Sequence, residues 1–251
     1  MSNITNACGG NVRAKRALEV AQAIVLDIEA ESLKVGDRLP SEHRMLARYE
    51  VARATLREAL RFLELQGTIY LQPGRGGGPV VARPQVGDFA SSLALILHFV
   101  GTDLRALLEM RESLAPDAAA HAARRATSGD LVALKECLML LEQQLSSPMF
   151  EETNRRFHDL LAWASGNPLF GLLTSALHLL TRNLSQQLGY SKCERETQIH
   201  SLTRVLHAIG MHDSESARQE MKKLVCGSAD YLAIRSPGLV EQGIRWTQAF
   251  K

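Results

Sequence analysis

Three arginines, Arg53, Arg57 and Arg61, follow one another at intervals of four within "VARATLREALRFLELQG", residues 51–67. On a helix, at about 100° per residue, they fall on one strip about 80° wide. The interleaved Leu56, Ala59, Leu60 and Leu63 have the i, i+3, i+4, i+7 spacing of a buried face. A guanidinium projecting from the start of such a helix can fork onto O6 and N7 of guanine in a major groove. Thr55 beside it suits a phosphate or a thymine methyl. A basic strip also occurs as a merely solvated face, so its neighbours must decide. Between residues 43 and 83 there are seven arginines against three acids, and "PGRGGG" places Arg75 among glycines that let backbone approach a groove or a phosphate.

The elements around the strip read as a small module. Residues 14–31 predict a helix with Ala17, Ala21, Ile24, Val25 and Ile28 on one face. Gly36 and Pro40 break the pattern, and Ser41 predicts the N-cap of a short helix through Tyr49. The arginine helix follows and ends at Gly67, which suits a C′ position. "TIYLQ" and "PVVAR" then flank the "PGRGGG" turn as a hairpin. Three helices and a two-stranded wing are the layout of a winged helix-turn-helix.

Past Pro84 the character is helical to about Leu232, with seven helices if 88–99 is counted as one. Thr102, Thr127 with Asp130, Ser147-Pro148, Asn167-Pro168, Ser191 with Glu194, and Asp213 predict the starts. The division is a DNA-binding domain over 1–84 and an all-α bundle over 85–251, joined by a linker near 84–87. Charge divides similarly: 12 Lys/Arg against 9 Asp/Glu in the first part, 17 against 18 in the second, within a net charge of +2.

Bulk composition excludes several classes. Of 251 residues, 45% are apolar and 22% charged, ordinary for a globular chain. No apolar run is long enough to span a membrane, and the first twenty residues contain no apolar signal core, which predicts a cytoplasmic protein. Cys8, Cys137, Cys193 and Cys226 are far apart, so neither a zinc knuckle nor a disulfide framework is indicated. G-x-S-x-G, a phosphate loop, H-E-x-x-H and paired carboxylates in a recognisable setting are all missing, so an enzyme is not expected.

"GDRLPSEHRMLARYEVARATLREALRFLELQGTIYLQPGRGGG" resembles the DNA-binding domain of GntR-family bacterial transcription regulators. The likeness covers nearly all of residues 14–83. It implies DNA contacts at Arg53, Thr55, Arg57 and a wing around Gly74, Arg75 and Gly76. His43 stands where the family usually has Arg, with Arg44 next, which alters one contact or signals a different operator. "LLEMRESLAPDAAAHAARRAT", "NRRFHDLLAWASGNPLF" and "HAIGMHDSESARQEM" resemble, more loosely, the FCD ligand-binding domain of the FadR subgroup. That resemblance implies a homodimer on double-stranded operator DNA, a repressor released by a small carboxylic or fatty-acyl metabolite in a central pocket.

Many members of that subgroup hold a divalent metal through one Asp and three His. The matching positions here are Asn154, His158, Leu202 and Leu224, with His200 two residues from the expected place. Asn is a poor substitute for a carboxylate and Leu cannot ligate, so no metal cofactor is expected. Two leucines in that shell predict a more apolar pocket that favours a greasy effector. Arg111, Asn154, His158, His178 and Arg182 are the candidates to anchor it. The same residues admit plainer roles: ion pairs with Glu109, Glu112 or a neighbouring helix for the arginines, and a hydrogen-bonded core histidine for His158. An alternative function is a constitutive DNA-binding regulator whose helical domain has lost its effector and only dimerises.

Overall fold

The computed structural model describes residues 12–74, 77–185 and 190–246, and the chain falls into two compact units, 1–89 and 90–251. In the first unit, α1 (Val12–Ala30), α2 (Glu42–Tyr49) and α3 (Arg53–Leu65) precede β1 (Ile69–Gln72) and β2 (Gly78–Val81). Leu56, Ala59, Leu60 and Leu63 are all buried, together with Ala17, Ala21 and Ile24 of α1, Met45 of α2 and Ile69 of β1. Val25 and Ile28 pack at the edge of the same cluster. Each buried leucine contributes about 1.5–3 kcal/mol, against about 0–1 kcal/mol for an exposed ion pair such as Arg61–Glu64, so packing sets where α3 lies.

The wing is wider than the expected hairpin. β1 and β2 pair antiparallel, Ile69 opposite Val81 and Tyr70 opposite Val80. Residues 36–39 then bond the free edge of β2: the Leu39 amide donates to the Pro79 carbonyl at 3.0 Å and the Val81 amide to the Asp37 carbonyl at 2.9 Å. Ser41 flanks α2 as expected but makes no side-chain cap bond.

Two of the left-handed positions in this unit, Gly67 and Glu50, bear on its stability. Gly67 has φ +70°, and a Cβ there would collide with the Asp88 carboxylate and crowd Pro84. The other is Glu50, which caps α2 at φ 50°, ψ 50°, a conformation that disfavours a side chain.

In the second part, α4 (Val86–Val100), α5 (Leu104–Arg125), α6 (Ser128–Gln143), α7 (Phe150–Ala164), α8 (Pro168–Ser185), α9 (Lys192–Gly210) and α10 (Ser214–Arg235) are the seven expected helices, and a short α11 (Pro237–Val240) follows. Starting at Val86, α4 takes up half of the expected linker, residues 86 and 87. Both capping boxes are formed, Thr127 with Asp130 and Ser191 with Glu194. Two starts differ from expectation. Asp103, not Thr102, caps α5 through the Ala106 amide. Ser147 accepts from the Met149 amide in a turn, so that α7 begins only at Phe150.

The centre of the bundle is α5, which packs against α7, α8, α9 and α10. Its buried side is small: Ala115, Ala118, Ala119, Ala122 and Ala123 meet Phe157 and Leu161 of α7 and Leu202, Val205 and Met221 of the last long helices. Beyond α11, the Ile244 amide donates to the Thr102 carbonyl at 2.8 Å and the Leu104 amide to Gln242 at 3.2 Å, so residues 242–244 clip the start of α5.

The two left-handed turns predict opposite mutational signs. Glu50→Gly relieves the αL cost and raises stability by about 0.5–1 kcal/mol, whereas Gly67→Ala adds strain and a clash and lowers it by at least about 1 kcal/mol. Thermal melts of the two variants against wild type check this, and a lower melting temperature for Glu50→Gly contradicts it.

Candidate functional site

The first site is the exposed side of α3. Arg53 is exposed and has no ion-pair partner among the described residues. Arg57 lies 3.6 Å from Glu42 Oε1, with side chains 70% and 41% exposed, a pair weak enough for a phosphate or base to displace. Arg61 is tied more closely. It donates to Glu64 Oε2 at 2.7 Å, and Oε1 of the same carboxylate accepts from the Leu71 amide at 3.2 Å. The strip therefore divides into two available guanidinia at the helix start and one that braces α3 against β1.

Thr55 does not stand with them. It is buried, at 9% exposure, because two residues on from Arg53 is about 200° around the helix. The expectation of a DNA contact through Thr55 is corrected to a packing role in the first turn. His43 and Arg44 are exposed on α2. Gly74 has φ +99° and nothing around it, and the Gly77 amide closes the tip on the Gly74 carbonyl at 2.9 Å. Arg75 and Gly76 lie outside the described residues.

Arg38 is a basic residue that the sequence reading missed. It sits on the segment that bridges to β2, donates to Gln72 Oε1 at 3.2 Å, and joins Glu42, Arg57, Arg61, Leu71 and Pro79 around a cleft of about 640 Å³ between α3 and the wing. Its signal was hidden because the bridge pairs residues about 40 apart, beyond any local periodicity.

The second site is a cavity of about 80 Å³ within the helical unit. Four helices turn one face to it, each at helical spacing: Leu104, Leu107, Leu108 and Arg111 of α5; Glu151, Asn154 and His158 of α7; Leu177, His178 and Thr181 of α8; Leu224, Ser228 and Leu232 of α10. Tyr190 and Gln198 complete it.

The charge in this cavity is unevenly compensated. Arg155 reaches it but donates to Glu152 Oε2 at 2.6 Å. Glu151 lies 3.7 Å from Arg195 Nε, and Arg195 is itself held by the Leu145 and Ser147 carbonyls at 3.0 Å. Burial raises the Glu151 pKa, opposed by Arg195 and Arg155. Arg111 has no carboxylate partner among the described residues. Its Nη2 lies 3.2 Å from His158 Nε2, and its pKa is lowered by desolvation. A guanidinium only donates, so Nε2 of His158 is the unprotonated nitrogen and the ring is neutral. Burial holds the His158 pKa well below the ordinary value, and the charges of Arg111 and His178 push the same way. Burial also lowers the His178 pKa, partly offset by Asp159, whose Oδ1 is 2.7 Å from its Nδ1.

Of the expected anchors, Arg111, Asn154, His158 and His178 line the cavity. Arg182 does not: its side chain is 52% exposed and pairs with Glu152 at 3.4 Å, so it is removed from the set. One turn beyond His178 it leans outward. Leu224 lines the cavity, whereas Leu202 is fully buried in the main core with Val205 and Met221 and is not among the lining residues. Of the two leucines expected to make the pocket apolar, only Leu224 does so; the other apolar walls are Leu104, Leu107, Leu108, Leu177 and Leu232, beside the polar groups. His200 is exposed. Glu151, Tyr190 and Gln198 were not foreseen. For Glu151 the signal existed, since it precedes Asn154 by three and His158 by seven.

Neutral buried histidines carry a pH signature. An unfolded chain binds a proton on each near pH 6.5 that the folded chain refuses, so their contribution is complete above that pH and falls away as the pH drops below it. Thermal melts should show a loss of stability between about pH 7.5 and 5.5, and His158→Gln, which keeps an acceptor for Arg111, should shrink that loss. An unchanged loss in the variant would exclude His158 as its source.

Comparison with known proteins agrees with both halves. Residues 16–77 match the gntR family of bacterial regulatory proteins and residues 106–225 match the FCD domain. YcbG of Bacillus subtilis (strain 168), described as an uncharacterized HTH-type transcriptional regulator, is 26% identical over 209 residues, covering 83% of this chain and 86% of that protein. The HTH-type transcriptional repressor NanR of Edwardsiella tarda (strain FL6-60) is 27% identical over 229 residues, covering 84% and 83%. Among solved structures, Streptococcus agalactiae GntR shares the fold, with a TM-score of 0.68 at 20% identity, covering 86% of this chain and 99% of that one. Among the described residues no helix is long and apolar enough to cross a membrane. With the family match in both halves, an exposed arginine pair on α3 and a cavity in the bundle, the chain belongs to the GntR family of bacterial regulatory proteins, DNA-binding transcription regulators rather than enzymes, and carries an FCD domain.

Proposed function

We propose that this protein is a cytoplasmic, ligand-responsive repressor of the FadR subgroup that binds a palindromic operator as a homodimer and is released by a small organic acid. The observation that carries the effector reading is Arg111, a guanidinium enclosed in the bundle, lining a cavity and lacking a carboxylate partner among the described residues. A buried cation in that state favours an anion. The size of the cavity, about 80 Å³, is below the about 150 Å³ of an apolar cavity that holds one benzene, which favours a small acid over a fatty-acyl chain. Repression is supported by the NanR relative, which is described as a repressor. Dimerisation is supported by α4, whose Leu95, Ile96, Phe99 and Val100 are exposed, and by the two-fold logic of operators. The effector acts by binding the free and DNA-bound forms unequally, and the ratio of those affinities limits the release it can cause.

Selection of an operator from genomic fragments, followed by fluorescence anisotropy, tests this. Arg53→Ala and Arg57→Ala should each lose about 1–3 kcal/mol of operator affinity, roughly 5- to 150-fold, whereas Arg61→Ala, already engaged with Glu64, should lose less than about threefold. Wild-type affinity in both of the first two variants would remove α3 as the reading element. Small carboxylates should weaken operator binding. Operator binding that no carboxylate releases would favour the constitutive regulator instead.

A further inference from the structure

We propose that the cavity binds its acid without a metal ion: Arg111 supplies the positive charge, and His158 orients that guanidinium instead of ligating a cation. This rests on reading the cavity as the effector site and specifies the chemistry of that site.

The donor set does not fit a divalent ion. Zinc bound through Nε2 of His158 would sit about 2.0–2.1 Å from that nitrogen. Arg111 Nη2 is already 3.2 Å from it, so the ion would be forced against a guanidinium. Of the other positions that correspond to metal ligands in the FCD domain, Asn154 offers a neutral amide whose Nδ2 donates to Gln198 Oε1 at 3.3 Å. Leu224 brings no donor atom, and Leu202 is packed in the core. Asn and Leu at these positions remove the negative charge and the nitrogen lone pairs that make such a site.

The charge balance agrees with the geometry. Glu151 and Arg155 are matched by Arg195 and Glu152, and Asp159 holds His178. The cation left over is Arg111. Guanidinium carries five donors in a planar fork, and one is spent on His158, so the rest can take a carboxylate in two parallel bonds. The remaining walls, Leu104, Leu107 and Leu108 from the same helix, suit a short hydrocarbon portion.

The test uses the full-length protein. Metal content is read by inductively coupled plasma mass spectrometry, as purified and after incubation with zinc, nickel or manganese and desalting. Binding of acetate, butyrate, succinate and citrate is measured by calorimetry with and without EDTA. The expected result is well under one metal ion per chain and a small acid whose affinity is unchanged by EDTA. Arg111→Lys, which keeps the charge and loses the fork, should weaken that acid about tenfold or more, and Arg111→Gln should abolish binding, with circular dichroism reporting the fold. Stoichiometric metal, loss of acid binding in EDTA, or full binding by Arg111→Gln overturns the proposal while leaving an effector site in place. Binding of none of the acids overturns it together with the effector reading and leaves the DNA-binding assignment standing.

Discussion

A guanidinium enclosed by helices has to find acceptors, because its charge cannot be removed at any ordinary pH. Arg111 meets that demand only in part, with one imidazole nitrogen at 3.2 Å. Much of the helical unit follows from holding it there. The alanine side of α5 lets α7, α9 and α10 approach closely, while the face one turn earlier carries Leu104, Leu107, Leu108 and Arg111 to the cavity. His158 has to be neutral to accept from it, and burial keeps it so. His178 is turned to Asp159, so the two histidines do not compete for the same proton. The return of residues 242–244 onto Thr102 and Leu104 then fixes the end of α5 from which the cavity is lined.

The DNA-binding head is built on the opposite principle. There the functional charges are exposed and lightly held. Arg53 is unengaged among the described residues, and Arg57, its own side chain exposed, has only a long 3.6 Å contact with Glu42 that a phosphate can replace. Rigidity comes from below, from Leu56, Leu60 and Leu63 against α1 and Ile69, and from the Arg61–Glu64–Leu71 connection that joins α3 to the wing. A pre-positioned helix with free arginines loses little entropy on binding beyond that of the side chains themselves.

Local signals were legible where one periodicity or one cap decides the outcome. The apolar face of α3, the capping boxes of α6 and α9 and the Asp213 start of α10 all follow from spacing alone. Thr55 was misread because its type suits DNA while its angle, about 200° from Arg53, does not. Arg182 was misread because one turn from a buried histidine near a helix end is still a different depth in the bundle. The bridge of residues 36–39 to β2 and the clip of 242–244 on α5 are pairings between distant segments, and no window of local sequence contains both partners.

Leu202 and Leu224 occupy different environments in the bundle. Leu202 lies in the core, where it packs with Val205 and Met221 and adds to the bundle's stability. Leu224 lies on the cavity wall and offers no donor or acceptor there. The neutral Asn154 has meanwhile turned to Gln198. The cavity thus combines a leucine-rich wall with Arg111, a cation that has no carboxylate partner among the described residues. A pocket maintained only for packing would be expected to close over such a charge or to pair it with an acid. Here the carboxylates nearby are committed elsewhere, Glu151 to Arg195, Glu152 to Arg155 and Arg182, and Asp159 to His178, which leaves Arg111 on the cavity wall with no carboxylate partner among the described residues.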